Sequence, residues 1–161
     1  MRKFEENIFD ERAGAQRFKA RIRFLVVTLL FFVVLGCSRR LTYPEPTQTA
    51  AEVIIDVALL ETDIPQFYTY REEGGQINFF VVKTGGKTAS FLDACEKCFT
   101  KKMGYKSSGF AVVCRACNER FPVESLEEGF GSCVPIKLES EIRNGKLYIS
   151  RERLHGMIGT Y

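Results

Sequence analysis

The chain contains no tryptophan and only one histidine, His155. A lone imidazole serves hydrolytic chemistry poorly, and no Ser-His-Asp set, phosphate-binding glycine loop or paired catalytic carboxylates can be assembled. A catalyst is therefore not the expected reading. Charge of one sign is also scarce, the net value being +3. Four of the basic residues, Arg17, Lys19, Arg21 and Arg23, fall in one short run, and the remainder is near neutral, so nucleic acid is not indicated as a partner. No internal repeat of domain-building length is visible apart from a pair of cysteine motifs. Only one long apolar run exists, which excludes a multi-span membrane protein, and 161 residues suffice for one domain with a real core.

The apolar run is Phe24 to Leu35, FLVVTLLFFVVL, with the basic cluster before it and Gly36-Cys37 after it. This order matches the n-region, h-region and small residue of a signal peptide. Val34-Leu35-Gly36-Cys37 resembles the lipobox of bacterial lipoproteins, which makes Cys37 a candidate for lipidation. The competing reading is an uncleaved N-terminal anchor, with Arg39 and Arg40 at the far interface. Both readings attach the chain to a membrane through its N-terminus and place the rest on the extracytoplasmic side, periplasmic or cell-surface. Residues 1–36 are thus read as signal peptide or anchor. Residues 37–50, with their prolines and threonines, are read as a flexible tether, and residues 51–161 as a cysteine-rich metal- or cluster-binding domain.

Within that domain the sequence reads as mostly β. Ala51 to Leu60 is aliphatic and β-branched, fitting a strand or a short buried helix. Gln66 to Tyr70, Ile77 to Val82 and Thr88 to Leu92 are extended segments separated by Gly74-Gly75 and Gly85-Gly86, which supply the positive φ of tight hairpin turns. Phe110 to Val113 and Lys146 to Ile149 are further strands, and Ser150 can cap a final helix through Leu154 and Met157. The expected class is α+β, mostly β: small antiparallel sheets, a rubredoxin- or zinc-ribbon-like pair of cysteine knuckles and a short C-terminal helix.

Five of the six cysteines lie between positions 95 and 133. Cys95-x2-Cys98 and Cys114-x2-Cys117 each let two sulfurs face one centre from a single turn, and the intervening residues can bring the second turn opposite the first. Cys95, Cys98, Cys114 and Cys117 are accordingly the expected metal ligands. The same set holds zinc, one iron or an iron-sulfur cluster. Structural disulfides are disfavoured, because a bridge within Cys-x-x-Cys closes too short a loop to stabilise much. Thiol exchange is disfavoured because the surroundings read as strand and turn and lack a helix N-terminus. Cys133, in a glycine-punctuated loop, is a candidate for a further ligand or for a hydrogen-bonding neighbour of the site, as is Asp93. A buried free thiol is the alternative for Cys133, and a turn cap for Asp93.

At these residues the chain resembles the FtrD-like membrane iron-sulfur protein family. The likeness is carried by FYTYREEGGQINFFVVKTGGKTASFLDACEKC at 67–98, GYKSSGFAVVCRACNERFP at 104–122, GFGSCVPIKL at 129–138 and the C-terminal GKLYISRERL. The family's Asp-Ala-Cys-x2-Cys is met by Asp93 to Cys98, its Gly-Tyr by Gly104-Tyr105 and its second Cys-x2-Cys by Cys114 to Cys117. Its late Gly-Gly-Cys-Asn-Pro becomes Gly131-Ser132-Cys133-Val134-Pro135, and Asn118 replaces a usual glycine. The resemblance implies an iron-sulfur centre or iron, serving electron transfer or metal handling in iron transport beside a permease and redox partner proteins. The alternative function is a zinc-stabilised interaction module without a redox role.

Overall fold

A computed structural model describes residues 41–128 and 133–161. The readings of the apolar run and of Cys37 fall outside the described residues, as do Gly129 to Ser132.

Among the described residues, eleven strands form three antiparallel sheets, accompanied by one short α-helix. The first has the order β1 (Thr47–Gln48), β2 (Glu52–Asp56), β11 (Lys146–Ser150), β10 (Glu141–Arg143). The second runs β3 (Gln66–Glu72), β4 (Gly75–Thr84), β5 (Lys87–Cys95), β9 (Pro135–Leu138). The third is β6 (Tyr105–Ser107), β7 (Ala111–Cys114), β8 (Arg120–Pro122). Helix α1 spans Arg151–Met157, and the Ser150 hydroxyl accepts from the Arg153 N–H as its N-cap. The mostly-β class with three small sheets and a C-terminal helix is what the sequence leads one to expect.

The segment from Ala51 to Leu60 resolves into strand β2 and then a single 3-10 turn, Val57–Leu59. Asp56 decides the change. Its carboxylate accepts from the Ala58 N–H at 2.9 Å, offering the backbone a turn where the ladder would otherwise continue. The hairpins run longer than the aromatic runs suggested, with β3 paired to β4 from Gln66↔Val81 to Glu72↔Gly75. Among the described residues read as tether, several lie along β3 and β4. The Tyr43 N–H donates to Thr69 Oγ1 at 2.7 Å, and the Asn78 amide donates to the Leu41 carbonyl at 2.8 Å.

Strand β4 is central and is buried on both faces, so its side chains divide by parity. Ile77, Phe79 and Val81 enter one apolar core with Val53, Ile55, Leu147, Ile149 and Leu154, between the second sheet and the first sheet with α1. Phe80 and Val82 enter another with Phe91, Tyr105, Val112 and Phe121, between the second sheet and the third. Strand β5 repeats the division: Leu92 and Ala94 face the first core, Phe91 and Cys95 the second. This parity carries Cys95 to the layer shared with β7 and β8, where the other sulfurs lie.

Candidate metal centre

Three separate pieces of chain deliver the five sulfurs. Strand β5 ends at Cys95, and the next turn carries Cys98, whose backbone N–H donates to Cys95 Sγ at 3.0 Å. Strand β7 ends at Cys114. Its turn closes with the Asn118 N–H on the Cys114 carbonyl at 2.8 Å and the Cys114 N–H on the Glu119 carbonyl at 2.9 Å. Asn118 takes φ +61°, the left-handed conformation that asparagine tolerates best after glycine, which explains how it serves at this position of a knuckle. The first turn departs from that pattern: Cys98 (φ −108°) leads into a 3-10 turn over Phe99–Lys101, and the left-handed residue is Lys102.

The third piece is the start of β9. Cys133 is held by the pairing of Pro135 with Cys95, by the Glu96 N–H on the Val134 carbonyl at 3.3 Å, and by the Tyr105 hydroxyl, which donates to the Cys133 carbonyl at 2.7 Å. Its sulfur is the central one of the five. It lies 2.6 Å from that of Cys95, 3.1 Å from that of Cys117 and 3.6 Å from that of Cys98. Cys95, Cys98, Cys114 and Cys133 place their sulfurs all within 4.8 Å of one another. Cys117, expected from the spacing as the fourth member, is exposed; its sulfur lies 3.1 Å from that of Cys133 and also meets those of Cys114 and Cys98.

The thiols feel one another strongly. Burial pushes Cys114 up to about 11. Burial and its four sulfur neighbours push Cys133 far above the ordinary thiol range. Burial also opposes ionisation of Cys95, yet contacts with Cys133 and the backbone N–H groups of Cys98 and Lys97 leave its thiol below the usual value. Cys117 is lowered by Cys133 and then by the Glu119 N–H.

Five thiols packed together cannot all ionise without a cation among them, because each new thiolate repels the last in a partly dry site. The amides aimed at sulfur are the donors that a thiolate prefers. A tetrahedral ion with metal–sulfur bonds near 2.3 Å sets sulfur–sulfur edges of about 3.8 Å, a value between the 2.6 Å of Cys95–Cys133 and the 4.8 Å limit of the group, so the sulfurs enclose an ion once Cys95 and Cys133 move apart by about an ångström. The donor set therefore fits a thiophilic metal. Asp93, Lys102 and Met103, with the first three cysteines, line an opening beside the sulfurs.

Asp93 supports the centre at one remove. Its carboxylate accepts from the Tyr105 N–H at 2.5 Å and from the Tyr43 hydroxyl at 3.4 Å. Burial pushes it up to about 7, opposed by the Tyr105 N–H and by Arg115. Gly104 lets this happen: at φ +64°, a Cβ there would stand 2.5 Å from Asp93 Oδ2. The Asp-Ala-Cys and Gly-Tyr motifs thus meet in space, Asp93 against Gly104 and Tyr105, with Tyr105 reaching on to Cys133. In sequence Tyr105 enters as part of the Gly-Tyr motif and Tyr43 as part of the tether, and the polar contacts of neither carry a local signal. His155 sits away from the sulfurs, with Nδ1 3.2 Å from Glu72.

Two consequences can be measured. Gly104→Ala should lower stability by about 2–4 kcal/mol, from the left-handed backbone and from the displaced carboxylate, and a denaturant melt would show it as a lower midpoint. Tyr105→Phe leaves the Cys133 carbonyl without its buried donor and should lose about 1–3 kcal/mol by the same assay, with an unchanged midpoint contradicting that role.

The fold and the sulfurs together define a small β protein built around a cysteine metal site. A family model described as "Membrane iron-sulfur containing protein FtrD-like" matches residues 60–161. The chain belongs to this FtrD-like family, and is a membrane iron-sulfur protein with a four-cysteine metal site. No curated protein and no solved structure matches it. Among the described residues, no helix is long and apolar enough to cross a membrane.

Proposed function

We propose that the protein is an extracytoplasmic carrier, held at the membrane by residues 1–36 and a tether within 37–50, whose domain from residue 51 onward binds iron or an iron-sulfur cluster for electron transfer or metal handling in iron transport. The observation that carries the reading is the convergence of four sulfurs from three chain segments on one point inside a core. Family membership supports iron over other thiophilic metals. The apolar run ahead of Cys37 supports the attachment, by lipidation of Cys37 or by an uncleaved anchor.

Cys95, Cys98, Cys114 and Cys133 would hold the metal. Iron bound there supplies one-electron chemistry at a potential set by thiolate charge, hydrogen bonds to sulfur and burial. The chain's own contributions are separable. The N–H of Cys98 donates to Cys95 Sγ and so offsets charge on a ligand. Phe80, Tyr105, Val112 and Phe121 dry the inner side of the site. Cys98, half-buried, and Cys117, exposed, bring its outer edge to the surface where a permease component or redox partner can approach.

Anaerobic purification of the full chain with metal and acid-labile sulfide analysis tests this directly. Iron in the preparation, visible absorption and an EPR signal in one redox state are expected. Colourless protein holding one zinc would replace the redox reading with that of a zinc-stabilised interaction module.

A further inference from the structure

The sequence offers Cys117 as the natural fourth ligand, yet the tertiary structure places two sulfurs in competition for that position. We infer that Cys133 is the resident fourth ligand and that Cys117 is an exchange ligand, the thiol through which the metal enters and leaves the site. This rests on the proposed metal-binding function and assigns a direction to the same site.

The two sulfurs differ in three ways that the geometry sets. Cys133 is 1% exposed, whereas Cys117 is exposed. Cys133 is fastened through its own carbonyl by the Tyr105 hydroxyl, through its neighbour by the Val134–Glu96 hydrogen bond, and through Pro135 by pairing with Cys95. Cys117 rides at the outer corner of the turn that Asn118 closes. Finally, the mutually close group contains Cys133 and leaves Cys117 at its edge, 3.1 Å from the Cys133 sulfur.

Sulfur atoms that close can trade one bond to a metal without either turn unfolding. In the exchange, the Cys117 sulfur forms a metal–sulfur bond as the Cys133 sulfur breaks one, and the proton on Cys117 passes to Cys133. No electron moves. The result replaces a ligand at the dry side of the site by one at the surface, where a thiolate or chelating group of a partner can take the metal in a second substitution of the same kind.

The test uses the full chain, purified anaerobically in detergent and loaded with one Zn2+ per molecule. Brief iodoacetamide treatment followed by peptide mass analysis should label Cys117 and leave Cys95, Cys98, Cys114 and Cys133 unlabelled. Cys117→Ser should keep one zinc per chain but release it to the chromogenic chelator 4-(2-pyridylazo)resorcinol at least tenfold more slowly than wild type. In Cys133→Ser, zinc should bind at least tenfold more weakly, and Cys117 should now be shielded from iodoacetamide. Zinc-loaded wild type with Cys117 shielded and Cys133 labelled would overturn the inference while leaving the metal site intact, and requires no variant to fold. Unchanged release from Cys117→Ser would also overturn it. Wild type that takes up no metal would overturn the underlying function and the inference together.

Discussion

Cys114→Ser is expected to leave less than a tenth of the wild-type metal in the purified protein and to remove the cooperative melting of the third sheet. Cys114 is the only ligand contributed by β7 among the four clustered sulfurs, so its loss leaves that sheet only the exposed Cys117 with which to reach the centre. Serine is a hard, high-pKa donor that does not replace a thiolate on a thiophilic metal. Metal binding at a structural thiolate site is worth about 10–16 kcal/mol of apparent free energy, as much as the whole stability of a typical domain. The third sheet's other hold is the packing of Tyr105, Val112 and Phe121 in the core shared with the second sheet, carried on short strands. Its strands contain three, four and three residues.

The damage should nevertheless be local. Among the described residues, the core between the first and second sheets contains no cysteine, and Val53, Phe79, Leu92, Leu147, Ile149 and Leu154 are all fully buried there. Far-UV circular dichroism should therefore retain most of its β signal while metal analysis reads close to zero. Treating the wild type with a chelator at mildly acid pH should give the same pattern, because protonation of the thiolates and removal of the metal reach the same end. A Cys114→Ser protein that kept its full metal content would remove Cys114 from the site.

Phe80→Ala should produce the largest effect of any change outside the cysteines. Its ring is fully buried and packs against Phe67 at 5.2 Å, Phe91 at 5.4 Å and Tyr105 at 5.9 Å between centroids. Truncating a buried phenylalanine loses about 3–5 kcal/mol through transfer and cavity contributions, and each broken aromatic pair adds up to about 1 kcal/mol. The loss is a large share of the 5–15 kcal/mol that holds an ordinary domain together.

The neighbouring residue supplies the control. Phe79 is as deeply buried but points to the other core, where it stacks with Tyr68 at 5.6 Å. Phe79→Ala should cost similar stability and leave zinc affinity close to wild type. Phe80→Ala should weaken both, because Tyr105 loses the ring that braces it and with it the fixed hydroxyl on the Cys133 carbonyl. Competition with a zinc chelator measures the difference, and equal affinities in the two variants would sever the link between this core and the site.

The long strands were legible because they alternate or run continuously through β-branched and aromatic residues and because glycine pairs mark their turns. Gly85 and Gly86 do adopt positive φ, at +55° and +77°. The short strands were not legible. Two or three residues, as in β1, β6, β8 and β10, carry no periodicity, and they are extended only because a longer neighbour offers them hydrogen bonds. Asp93 shows the same limit at the site. Its identity signals a turn cap, and only the approach of Gly104 and Tyr105, eleven and twelve residues further on, makes it a buried acceptor.

Sequence alone establishes the material of the centre: two Cys-x2-Cys turns at a spacing that lets them oppose each other, a fifth cysteine nearby, and strands enough to carry them. Those features are local, set by backbone reach and by the chemistry of sulfur. Which sulfur lies at the centre of the group is a different kind of fact. It depends on β9 joining β5 so that Cys133 falls behind Cys95, and on the Tyr105 hydroxyl crossing between sheets to hold it. Such long-range pairings are governed by the burial of two opposed sheet faces, and no window of neighbouring residues contains them.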